Sequence, residues 1–307
     1  MGMRLPSPPV KGQLMKLATA MLLVCLISTL GMAQGTATKT PAPAQGTQTS
    51  AAAPAPAAQH QPQAKSKEEF DAYNQAAAKT DPAQLEAAAD EFAQKFPNSE
   101  LKELLYVRAM TSYQQQNNSA KVVAVGRKAI ALNPTNPVPL VAVASALVMD
   151  TRESDLDRDS RYAEASKDAQ AGLDNIDTGL EVPPGVSEAQ IAAAKANLRS
   201  IAYDTLGVIA MNKKDYAAAE QNFQRAADLM KDQPDAVVYI RLSVVQDNEK
   251  KYTEALDSAN KAAQYAPEGS AEKNLAKQQQ ARLQKLIAEQ SGSTTPPPPQ
   301  PQPPTPH

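Results

Sequence analysis

Few side chains in this sequence are equipped for chemistry, and they are not gathered. The 307 residues include one cysteine and two histidines. Cys25 lies inside an N-terminal apolar stretch, His60 in a segment of Ala, Pro and Gln, and His307 ends the chain. Nucleophilic catalysis needs a thiol or hydroxyl beside a base, and neither histidine has such company in the sequence. A glycine-rich phosphate loop is absent. The densest group of potential ligands is Asp150, Asp155, Asp157 and Asp159. A calcium loop needs carboxylates in an ordered spacing with a central Gly and a terminal Glu, which this stretch lacks, so it reads as a solvated connection. Nothing marks a carboxylate pair for acid–base work. No catalytic residue, metal site or cofactor is expected; the chain reads as a non-enzyme whose function rests on a surface.

The elements that would present such a surface are helices. Trp is absent and aromatics make up 4% of the chain, so the core must be filled by Ala, Leu and Val, which suits helix on helix better than sheet. The stretch from Tyr203 to Pro267 carries one pattern twice. The first copy holds Tyr203, Leu206, Gly207, Tyr216, Ala219, Phe223 and Ala226; the second holds Tyr239, Leu242, Tyr252, Ala255 and Ala262, and Pro267 closes it. Tyr203 to Tyr239, Leu206 to Leu242, Tyr216 to Tyr252, Ala219 to Ala255 and Ala226 to Ala262 are each 36 apart. A fixed period of this size marks a repeat architecture. Gly207 sits in a helical run, where Gly is worse than Ala by about 1 kcal/mol, so close helix packing against Ala219 and Ala226 is its expected reason.

This pattern resembles the tetratricopeptide repeat, whose hairpins carry a large residue, Leu-Gly, a turn ending in Asp-Tyr, spaced alanines and a closing proline. The resemblance implies an all-α fold: a right-handed α-solenoid of about five helical hairpins plus a C-terminal capping helix, flanked by disordered termini. Upstream, Phe70 to Tyr106 repeats the 36-residue step. Ser66 with Glu69 offers a capping box for the first hairpin, and Ser187 with Gln190 does the same for a long helix reaching about Asn212. Two insertions interrupt the register, at 150–160 and 177–185. The extra turns of the long helix either project as a ledge or pack back on the third hairpin. All thirteen aromatics (four Phe, nine Tyr) fall where they should face the interior or a helix junction.

The ends differ from this body. Arg4, Lys11 and Lys16 precede an apolar run from Leu17 to Met32, with small residues up to Ala33; residues 1–33 read as an export signal, and an uncleaved membrane anchor is the competing reading. Residues 34–65 form an Ala/Pro/Gln-rich linker and 291–307 a proline-rich tail, both expected to be disordered, leaving 66–290 as the repeat domain. Net charge is −2 without a basic run, which gives nucleic acid no footprint.

In tetratricopeptide proteins the first helices of successive hairpins line a groove that takes up a partner segment. Carried onto this chain, that geometry places Val107, Thr111, Gln114, Val141, Ser145, Val148, Asp204, Val208, Met211, Ile240, Val244 and Asp247 in the groove. A branch of the family grips a terminal carboxylate with Lys and Asn one turn apart; Val107/Thr111, Val141/Ser145, Asp204/Val208 and Ile240/Val244 stand there instead, so the resemblance does not extend to that clamp. The largely apolar set favours an amphipathic or hydrophobic protein segment. The expectation is an exported scaffold of the bacterial periplasm or cell envelope, with a membrane-tethered structural protein as the alternative.

Overall fold

A computed structural model describes residues 62–183 and 185–292. The expected export signal, most of the linker, Cys25, His60, His307 and the proline-rich tail from residue 293 onward lie outside them, while Ser291 and Gly292, expected to be disordered, continue the last helix. The described residues form eleven helices and no strand. In order these are α1 Lys67–Ala77, α2 Pro82–Lys95, α3 Leu101–Gln115, α4 Ser119–Leu132, α5 Pro137–Asp150, α6 Arg158–Asn175, α7 Glu188–Asn212, α8 Tyr216–Leu229, α9 Ala236–Asn248, α10 Tyr252–Tyr265 and α11 Ala271–Gly292. Each packs on its successor, and α7 also lies against α5 while α11 reaches α9. Five hairpins and a closing helix result, as the 36-residue step requires.

The sequence starts most of these helices in the same way, with a short polar side chain accepting from a first-turn N–H. Asp81 caps α2, Asn118 α4, Asn136 α5, Asp215 α8 and Asp235 α9, and Pro follows Asp81 and Asn136 at the first helical position. Ser187 and Gln190 close both arms of a capping box at α7. At α1 only half of the expected box forms: Ser66 accepts from Glu69 N–H, while the Glu69 carboxylate takes the Lys65 N–H instead, at 2.6 Å.

Hairpins close where small residues face large ones. A Cβ added to Gly207 would stand 2.6 Å from Phe223 Cε1, and one on Gly172 would stand 2.6 Å from Val141 Cγ2. Ala219, Phe223, Ala226, Ala255 and Ala262 have no exposed surface, and Leu242 and Tyr239 are buried. Tyr203, Leu206, Tyr216 and Tyr252 are half-buried, and Pro267 is exposed at its turn. Three hairpins repeat one further contact: Lys128 over Tyr106, Arg225 over Tyr203 and Lys261 over Tyr239, cation to ring centre 5.3–5.7 Å. In each the cation is 22 residues after the ring, so the packing repeats with the sequence. Tyr265 departs from the interior expectation for aromatics: it is 39% exposed and only its ring face leans on Tyr239, 5.5 Å away.

Ion pairs lace the second helices on the outer side. Lys128 reaches Asp90 at 2.8 Å and Lys121 reaches Glu86 at 2.9 Å, joining α4 to α2; Arg127 holds Glu164 on α6 at 2.6 Å. Beside this last pair, burial and the Glu164 charge push Asp168 up to about 6, against the pull of Lys167 and Arg127. An acid held above its ordinary value opposes folding once ionised. The penalty is complete above pH 6 or so and vanishes below pH 4 or so. Asp168→Asn should therefore raise the melting temperature at pH 7.5, with the gain closing by pH 4; a gain that ignores pH contradicts this account.

Candidate partner-binding face

The first-helix face is built by α3, α5, α7 and α9, and its state differs along the stack. On α3, Val107, Thr111 and Gln114 are buried. Thr111 gives its hydroxyl to the Val107 carbonyl at 2.8 Å. The Gln114 amide is 1% exposed and both its polar atoms lack a hydrogen-bond partner. On α5 every residue from Pro137 to Val148 is buried, Val141, Ser145 and Val148 included. Val141 touches Gly172 of α6, and α7 covers α5 from the other side. An apolar helix with neighbours on all sides offers no groove.

The extra turns of α7 explain part of this closure. Their first residues, Glu188 to Gln190, are exposed, whereas Ala194 and Leu198 are buried. The long helix thus packs back on the third hairpin after a short free start. Asp177 clips it to the second insertion through Lys195 at 3.2 Å and Arg199 at 2.5 Å. That clip and the pairing with Lys195 hold the Asp177 carboxyl below its usual range, Arg199 contributing most. Ile176, just after α6, and Leu180 of the insertion enter the main core.

Two acids assigned to the groove act as braces instead. Asp204 on α7 is 2% exposed and pairs with Arg241 on α9, itself 11% exposed. Asp247 on α9 takes Arg282 and Gln279 of α11, the latter at 3.2 Å. Eight of the twelve expected groove positions, Val107, Thr111, Gln114, Val141, Ser145, Val148, Asp204 and Ile240, are therefore interior, and Asp247 is partly exposed but bound. The reason is tight stacking of α7 on α5 and the occupation of α9's flank by α11. What stays open is Val208 and Met211 on α7 with Val244 on α9. Val208 and Val244 are 36 apart, the same place in consecutive hairpins.

Arg241, Gln279 and Arg282 escaped sequence reasoning. Their signal is an Arg about one repeat beyond an acid of the preceding first helix, 37 residues for Asp204–Arg241 and 35 for Asp247–Arg282. Among the described residues no group of His, Cys, Asp or Glu is arranged to hold a metal, and no helix is long and apolar enough to cross a membrane.

The open strip lies on the fourth and fifth hairpins, and the fourth is also where comparison with known families decides. A tetratricopeptide repeat family model matches residues 201–232, the C-terminal half of α7 with α8. Residues 201–232 are thus a tetratricopeptide repeat. No curated protein matches the chain. Tetratricopeptide repeats generally mediate protein–protein binding.

Proposed function

We propose that the protein is an exported, noncatalytic adaptor of the bacterial cell envelope that holds an apolar or amphipathic segment of another protein along the strip of α7 and α9. The observation that carries the binding reading is the repetition of a partly exposed valine, Val208 then Val244, at equivalent places of two hairpins, with Met211 one turn after Val208 also partly exposed. Export is supported by Arg4, Lys11 and Lys16 ahead of the apolar run to Met32. The same run favours a second reading, a tether in which the signal stays uncleaved and residues 34–65 carry the repeat domain away from the membrane. N-terminal sequencing of the exported protein separates them: a start at Gln34 removes the tether.

Val244→Asp tests the strip. Val244 is partly exposed, so the fold should keep its melting temperature within a few degrees, while capture of the partner from an envelope extract falls about tenfold. Unchanged capture sinks the strip as the site, and unfolding shows that position 244 belongs to the core.

A further inference from the structure

Among successive first helices α7 and α9 approach least closely, whereas α7 lies against α5 and α11 against α9. The buried Asp204–Arg241 pair bridges the furrow between them. Val208 follows Asp204 by four residues and Val244 follows Arg241 by three, so each valine stands one turn beyond its brace partner on the same side of its helix. Met211 and Asn212 prolong the α7 wall, and Asn248 prolongs that of α9. The furrow is bounded at one end by the ion pair and opens at the edge where the first helices finish.

The chain itself supplies a segment at that edge. Helix direction alternates, so α11 runs the same way as α9, and its Arg282 is level with Asp247 near the end of α9. From Arg282 to Gly292 the helix climbs about 15 Å further. A return of about 20 Å along the axis and about 10 Å sideways therefore brings the chain from Gly292 to Val244. The fifteen residues after Gly292 span about 46 Å at about 3.1 Å per residue, about twice what the return needs. Eight of them are proline and none is Asp, Glu, Lys or Arg. Proline has no N–H to strand against an apolar wall, and no side-chain charge has to be stripped of water. The carbonyls still need donors, which exposed Asn212 and Asn248 offer at the rim; one amide hydrogen of Asn248 already goes to the Val244 carbonyl at 2.7 Å, leaving the other. The other proline-rich segment, 34–65, joins the fold at α1, the opposite end of the stack.

We propose that the proline-rich tail, residues 296–307, turns back into the furrow between α7 and α9 and lies on Val208, Met211 and Val244 as an internal ligand. Tethered this close, the tail meets the furrow at an effective concentration on the order of millimolar, so a contact too weak to hold a free peptide keeps the furrow filled. A partner segment must displace the tail, which makes the tail a brake on capture. The brake rests on the strip being the partner site; the internal contact does not.

Methyl NMR spectra of the full chain, compared with a full-length variant whose tail prolines are all replaced by Ser, test the contact without any partner. The signals of Val208, Met211 and Val244 should shift in the variant and return when a peptide of residues 293–307 is added at about 1–5 mM. Those of buried Val141 and Val148 should stay in place. The shifts should be the same at about 20 µM and about 500 µM protein, as an internal contact requires. Capture of the partner from an envelope extract should rise about fivefold in the serine variant, which corresponds to relief of a furrow about 80% filled. Signals indifferent to the tail sequence, shifts that grow with protein concentration and so come from the tail of a second copy, or shifts that follow deletion of residues 34–61 instead would each overturn the proposal. Capture that falls with Val244→Asp but ignores the serine variant would overturn the brake. Tail-dependent shifts with capture indifferent to both variants would confirm the internal contact and remove the strip as the partner site.

Discussion

Arg241→Ala is expected to lower the unfolding free energy by about 3 kcal/mol. Its partner Asp204 is 2% exposed on α7, and Arg241 itself is 11% exposed on α9, so truncation leaves a carboxylate in the interior with its cation gone. Water cannot easily replace the guanidinium there. The exposed pair Lys67–Asp71, with side chains 86% and 49% open, is the contrast: its removal should cost well under about 1 kcal/mol. Urea unfolding followed by circular dichroism reads both. Asp204→Leu in the Arg241→Ala background should recover much of the loss, because the damage lies in the orphaned charge and not in a missing attraction. If Arg241→Ala costs less than about 1 kcal/mol, Asp204 is better solvated than its burial implies. The brace also ties α9 to α7, the two helices that carry Val244 and Val208. Partner capture should weaken in Arg241→Ala even under conditions where the chain is folded.

The five-hairpin layout was legible in the sequence because its signals agreed: the 36-residue step, the capping box at Ser187, and Gly207 in a helical run, although the neighbour that needs the missing side chain is Phe223 and not the expected Ala219 and Ala226. Each is local or periodic, so position along the chain suffices to read it. The binding face was not legible to the same degree. Whether Val141 or Ser145 faces a groove depends on how closely α7 lies against α5, and that is set by non-repeating parts: Ile176 at the end of α6, the second insertion with Leu180, and the extra turns of α7 clipped at Asp177. A repeat pattern transfers the positions of its own helices; it says nothing of an insertion that fills the space in front of them. Asp204 and Asp247 failed for a related reason. An acid on a solvated helix face and an acid braced by an Arg of the next hairpin look alike in one dimension, and only packing distinguishes them.

Gly207→Leu should cost about 3 kcal/mol or more. At this position the Phe223 ring leaves no room for a first side-chain carbon: Cε1 and Cδ1 would lie 2.6 and 2.7 Å from a Cβ. Phe223 has no exposed surface, so its ring cannot swing aside into water, and the helices must part instead. Better helix propensity works the other way, favouring Leu over Gly by under about 1 kcal/mol, and is too small to win. The loss should be shared with the ring. Phe223→Leu alone leaves a gap in the hairpin, but combined with Gly207→Ala it gives the new methyl space, so the double variant should be more stable than the two single losses would add up to. Thermal melts of the four proteins in this cycle measure the coupling. An unchanged melting temperature for Gly207→Leu, or strict additivity between positions 207 and 223, would mean that α7 and α8 do not approach as closely as the repeat pattern demands.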